Sequence, residues 1–111
     1  MTDMINVIVK NPGEPFELNR LANDFNLFRD IIGGFIETLP ATDKDLILCD
    51  EDGLLKKLPY NISWRGHDLF GTIIFAGNGF KEFADVSDEL LRLIPVMTEK
   101  EAGEENSDVL L

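Results

Sequence analysis

Histidine, cysteine, tryptophan and tyrosine each occur once in this chain, as His67, Cys49, Trp64 and Tyr60. One cysteine excludes an internal disulfide. Cys49 closes the apolar run Leu46-Ile47-Leu48, where a buried structural thiol is expected. One histidine, with the thiol inside a strand, leaves no usual zinc ligand set. Basic residues are also scarce, with 10 Lys and Arg against 21 Asp and Glu, for a net charge of −11. Phosphates bind basic surfaces, so direct binding of nucleic acid is not expected. An acidic surface suits a basic protein partner, or it only keeps the chain soluble; composition leaves both readings open. No apolar run approaches membrane-spanning length, and no secretory signal opens the sequence. The expected setting is therefore a reducing cytoplasm, away from membranes.

What is present supports one core. The chain has 111 residues and 44% apolar content, enough for a single folded domain. Its 8 phenylalanines point to packing rather than to a platform for stacked bases. The most informative stretch is Ile31-Ile32-Gly33-Gly34-Phe35-Ile36-Glu37. A helical apolar pattern enters it and a strand-like pattern leaves it. Glycine at the changeover meets the need for positive φ at a helix C-terminus.

Along the rest of the chain, Met4 to Lys10 alternates with apolar residues on both faces, which predicts an interior strand. Asn11-Pro12-Gly13 turns the chain, and Pro15 to Leu18 adds a short extended piece. Asn23 is placed to cap a helix bearing Leu21, Phe25, Phe28 and Ile32 at helical spacing. Strands are predicted over Phe35–Leu39 and Leu46–Cys49. Asp50-Glu51-Asp52-Gly53 reads as a hairpin turn, with Leu54 and Leu55 starting the return strand. Lys56 to Asp68 reads as a polar, irregular loop, long enough to suggest a functional role. Thr72–Ala76, bounded by Gly71 and Gly77, is a buried strand, and Phe80–Phe83 a short partner. Asp85 or Ser87 caps a last helix that Pro95 ends. The fold expected is α+β: a mostly antiparallel sheet of about 4–6 strands with both helices on one side. The domain spans residues 1–97, and the acidic stretch 98–111 is expected to be a disordered tail.

Several catalytic and metal patterns fail on spacing. Ser63 and His67 lack a third group and a Gly-x-Ser-x-Gly elbow. Setting Gly53 at the sixth position of a calcium loop puts Leu48 first and Pro59 twelfth, where carboxylates are needed. Gly77-Asn78-Gly79 lacks the Gly-Lys-Ser/Thr ending of a phosphate loop. No catalytic residue, metal or cofactor is therefore assigned. The acidic run Asp43, Asp45, Asp50, Glu51 and Asp52 is the candidate interaction surface. Gly33, Gly34, Gly53 and Gly71 are the candidate structural glycines. The best candidate binding site is Tyr60, Asn61, Trp64, Arg65 and His67. Trp, Tyr and Arg are common interface anchors and can also hold a planar or phosphorylated ligand. Equally, Trp64 fits a core position and Arg65 fits a partner for the acidic excess.

Together these stretches resemble an uncharacterised family of small phage and plasmid proteins, domain of unknown function 3846. The carrying residues are Pro12-Gly13, Ile32-Gly33-Gly34-Phe35-Ile36-Glu37, Asp52-Gly53, Leu58-Pro59-Tyr60-Asn61, Gly71-Thr72 and Asp85-Val86-Ser87-Asp88-Glu89. The family's Asn-Arg pair is replaced here by Asn61-Ile62, with a basic residue only at Arg65. The resemblance covers about residues 4 to 94 and implies an accessory gene of a mobile element, with no established activity. Proteins of that kind often act by binding. The expected function is a non-enzymatic inhibitor or modulator of a host defence protein, one that is basic or binds nucleic acid. The alternative is a sponge that sequesters a nucleotide-like molecule in the Asn61–His67 loop. A hydrolase using scattered carboxylates is a third, weaker class.

Overall fold

The computed structural model describes residues 3–98. Two hairpin-rich halves share one sheet. Strands β1 (Met4–Lys10) and β2 (Phe16–Ala22) pair antiparallel through seven residue pairs, from Met4 with Ala22 to Lys10 with Phe16. Helix α1 (Phe25–Ile32) follows, then β3 (Ile36–Pro40) and β4 (Asp45–Asp50), paired antiparallel. Strands β5 (Tyr60–Trp64) and β6 (His67–Phe70) form a separate two-stranded hairpin. Strand β7 (Ile73–Asn78), the short β8 (Phe83–Ala84), helix α2 (Asp88–Leu93) and β9 (Val96–Thr98) complete the described chain. The sheet order is β3-β4-β7-β1-β2-β9, with β8 pairing β7 off that path. Among the described strands, only β9 runs parallel to its neighbour, β2. The domain is α+β and mostly antiparallel. Residues 99–111, to which most of the expected tail belongs, lie outside the described residues.

The period of two explains the layers. On β1, β4 and β7, alternate apolar residues serve opposite faces. Val7, Leu48, Ile74 and Ala76 pack with Phe28 and Ile32 of α1. Ile8, Ile47, Ile73 and Phe75 pack with Leu90 of α2 and with Leu69 of β6. The expectation of both helices on one side is thus corrected: they cover opposite faces. A central strand that is apolar on both faces requires two covers, and α2 with the β5–β6 hairpin supplies the second. Each fully buried Ile, Leu or Phe contributes about 1.5–3 kcal/mol.

Local signals position these elements with some shifts. Asp24, not Asn23, caps α1, accepting from the Asn26 N–H at 2.9 Å. Asn23 instead donates to the Phe83 carbonyl at 2.7 Å, and Leu21 lies in β2. Gly33 ends α1 at φ 89° and donates to the Arg29 carbonyl. Gly34 has a different role. A Cβ there would stand 2.5 Å from Asp50 Oδ2 and 2.6 Å from Lys56 Nζ. Ser87 caps α2 by accepting from the Leu90 N–H, while Asp85 accepts from the Asn6 N–H of β1. No described helix is long and apolar enough to cross a membrane.

Two expectations fail between residues 50 and 70. Asp50–Gly53 does not open a return strand. Glu51 to Lys57 coils in successive turns, with Leu54 and Leu55 exposed. The Asp50 carboxylate draws in the Asp52 N–H at 2.8 Å, and β4 already has β3 and β7 on its two sides. Lys56–Asp68 is not an irregular loop either. Its second part is the β5–β6 hairpin, reversed at Arg65-Gly66 with φ 49° and 85°. Positive φ at both turn residues matches the right-handed twist of a two-residue hairpin.

Candidate functional site

The β5–β6 hairpin does not gather its aromatic and polar residues into one site. Asn61 is buried, and its Nδ2 donates to the carbonyls of Lys10 and Gly71 at 2.8 and 2.7 Å. Its Oδ1 has no hydrogen-bond partner among the described protein groups. Trp64 lies edge-on to Phe75, with centroids 5.2 Å apart, and its Nε1–H donates to the buried Ala41 carbonyl at 2.9 Å. These two side chains fasten the hairpin to the sheet. Tyr60 is exposed, packs edge-on against Phe70 and shares a hydrogen bond with Ser63. Arg65 is exposed at the turn and His67 on the following strand. Ser63 donates to Asp68, not to His67. The proposed set therefore splits into anchors (Asn61, Trp64) and surface residues (Tyr60, Arg65, His67).

The expected acidic surface splits in the same way. Asp45 is 1% exposed and accepts from Thr42 Oγ1, Ser87 Oγ and the Ser87 N–H. It ties β4 to the cap of α2. Asp50 is also buried and is paired with Lys56 Nζ at 2.6 Å. Burial pushes the Asp50 carboxyl up, but hydrogen bonds from Lys56 and the Asp52 N–H, with the charge of Lys56, outweigh it and hold it below its ordinary value. Asp43 and Glu51 are exposed, and Asp52 is half-buried. Two of the five acids thus belong to the interior, in contrast to the expected surface.

The glycines act locally. Gly53 sits under Phe70, where a Cβ would approach the Phe70 carbonyl to 3.1 Å. Gly71 takes φ 80° against Leu58. With Gly33, Gly34 and Asn61, they account structurally for much of the stretch that carries the family resemblance. Glu37 is different. It is exposed on β3, and no hydrogen bond or ion pair reaches its carboxylate among the described residues.

Glu37 borders a groove of about 360 Å³ between the β3–β4 pair and β6. Glu51, His67 and Asp68 stand around it, and Leu39, Leu54 and Phe70 supply apolar wall. Cys49 also lines it, its thiol donating to the Glu37 carbonyl at 3.6 Å. Burial first, then the charges of Glu37 and Asp50, push this thiol up to about 11. It stays protonated near neutrality and is a poor nucleophile. The groove is therefore acidic, partly apolar and without an activated nucleophile at Cys49. No group of three or more potential metal ligands occurs among the described residues.

A second groove, of about 480 Å³, is lined by Phe25, Asn78, Phe80 and Lys81. Phe80 is 96% exposed and Phe25 51%. A third lies at the end of α1 beside Arg29 and Gly34, and Arg29 stacks over Phe35 at 4.9 Å. Arg65 lines none of these three. The Glu37 groove and the Phe80 groove were both missed in the sequence. The phase of β3 was available for the first, since Glu37 and Leu39 share a face. An isolated Phe between Gly79 and Lys81 was the available signal for the second.

No curated protein and no solved structure matches the chain. A family model described as a domain of unknown function (DUF3846) matches residues 5–99, and the chain belongs to that family.

Proposed function

We propose that this protein is a binding module without chemistry of its own, recognising a basic segment of a partner protein through the groove beside Glu37. In the setting the resemblance implies, the partner is a host protein in the cytoplasm, and binding inhibits or modulates it. One observation carries the reading. Among the described residues Glu37 has no side-chain partner, and it faces a groove shared with the exposed carboxylates of Glu51 and Asp68. Exposed carboxylates grouped without cations favour Lys or Arg side chains and steer them in. Leu39, Leu54 and Phe70 add apolar contact for their methylene stems. The test is capture of a lysine-rich peptide by wild type and by a Glu37→Lys, Glu51→Lys double variant. Binding is expected to fall by about tenfold or more. Unchanged binding by a folded double variant would remove the groove from the site.

A second reading keeps the sequestering function but moves it. Asn61 is occupied by two carbonyls, which disfavours the Asn61–His67 segment as a ligand loop. The Phe80 groove offers exposed Phe25 and Phe80 for a planar ring and Lys81 for a phosphate. Isothermal titration with a panel of mononucleotides, repeated on Phe80→Ala, tests it.

A further inference from the structure

Strand β3 is one end of the sheet order, and no described strand pairs with its outer side. The pairing phase shows which groups face outward. The Phe35 carbonyl accepts from the Glu51 N–H, and the Ala41 N–H donates to the Asp45 carbonyl. These bonds turn Phe35 and Ala41 toward β4, and the register between them is unbroken. Alternation then directs the N–H and C=O of Ile36 and Thr38 away from the sheet. Pro40 adds only a carbonyl there. An open edge of this kind is a template for another strand unless it is blocked. Beside it, on the face shared with Cys49, lie Glu37 and the acidic groove.

We infer that the partner segment binds by strand addition to β3, as an extended chain with Lys or Arg at alternate positions. This rests on the groove being the recognition site. A strand added outside β3 has alternate side chains on the groove face, about 5 Å from that of Glu37. The same period places the other set beside Ile36 and Thr38, where small or β-branched residues fit the exposed Thr38. Main-chain bonds to Ile36 and Thr38 supply affinity, and Glu37, Glu51 and Asp68 select the charge. A second copy of this chain is disfavoured as the occupant by its net charge of −11.

The test uses two peptides of equal composition, one alternating lysine and threonine and one with the two residues in blocks. Strand addition predicts at least about tenfold tighter binding of the alternating peptide. It also predicts that the Ile36 and Thr38 amides, fast in hydrogen exchange in the free protein, become protected when the peptide is bound. Thr38→Pro removes one outward donor at an edge where proline is tolerated, and should melt like wild type yet lose most of the binding. Equal binding of both peptides, unchanged exchange at Ile36 and Thr38, or wild-type binding by Thr38→Pro would overturn strand addition. If Glu37→Lys, Glu51→Lys still abolished binding in those cases, the acidic groove would stand and only the mode would fall. Peptide-dependent exchange protection that appears only on β9 would also overturn it.

Discussion

Asn61 and Asp68 sit on facing arms of one hairpin and are used in opposite ways. Asn61 points inward and holds two main-chain carbonyls from β1 and the β6–β7 connection. Asp68 points outward and, among the described residues, is bonded only to its cross-strand neighbour Ser63. The same contrast runs through the acids. Asp45 and Asp50 are enclosed with donors, whereas Glu37 and Glu51 are left to solvent beside a groove. A polar residue type therefore says little about its role until its facing is known. Buried polar groups are retained with partners because an unmade hydrogen bond is costly there. Exposed ones cost nothing to leave free and remain available for a ligand.

If facing decides role, no inward residue should be dispensable. Trp64→Ala should give the largest loss, about 3 kcal/mol, since it removes the ring from Phe75 and strands the Ala41 carbonyl. Urea denaturation reads it, and a loss below about 1 kcal/mol would place Trp64 among the surface residues. Lys56→Ala should cost about 2 kcal/mol at neutral pH, because the enclosed Asp50 carboxylate loses its charged donor. The pair also sets a pH dependence. Asp50 titrates below its ordinary value, so its stabilisation is present above about pH 4 and is lost as pH falls through the lower folded value. Without Lys56, burial dominates and the acid unfolding midpoint should move to higher pH. An unmoved midpoint would show that Asp50 is held by the main chain alone. The smallest effect is at the helix end. Gly33→Val should cost about 1–2 kcal/mol, from the positive φ and not from any contact. At Gly34 the cause is instead collision with the Asp50–Lys56 pair, so removing that pair should relieve a Gly34→Ala variant but not Gly33→Val.

The sequence disclosed the features that local geometry dictates. β1 was readable because Val7 and Ile8 need cover on opposite faces, and the α1 end because Gly33 follows the last apolar turn. The layer assignment was not readable. Two apolar faces demand two covers but do not say which helix takes which. The β5–β6 hairpin was hidden because its turn uses Arg65 at φ 49°, where bulky residues are uncommon, in place of the usual Asn-Gly or Asp-Gly. Asn23 and Asp24 are both good caps, and only the distant Phe83 carbonyl decides between them. For the acids a local signal did exist. Asp45 is in phase with Ile47 and Cys49, all three facing the α2 side, whereas Glu51 follows the strand. Strand phase would have removed Asp45 from the expected surface. The Lys56 partner of Asp50 depends on the coiled 51–57 segment, which Asp-Gly disguised as a hairpin turn.

We propose that recognition uses the outward residues of β3 and β6, and that the inward residues hold them in place. Titrating the labelled protein with the alternating lysine–threonine peptide, and following backbone amide resonances, tests it most directly. The perturbed amides should cluster on Ile36–Leu39, Glu51 and His67–Asp68, with Asn61 and the Phe80 groove unmoved. Perturbations centred on Phe25, Asn78 and Phe80, or spread evenly over every exposed carboxylate, would contradict it.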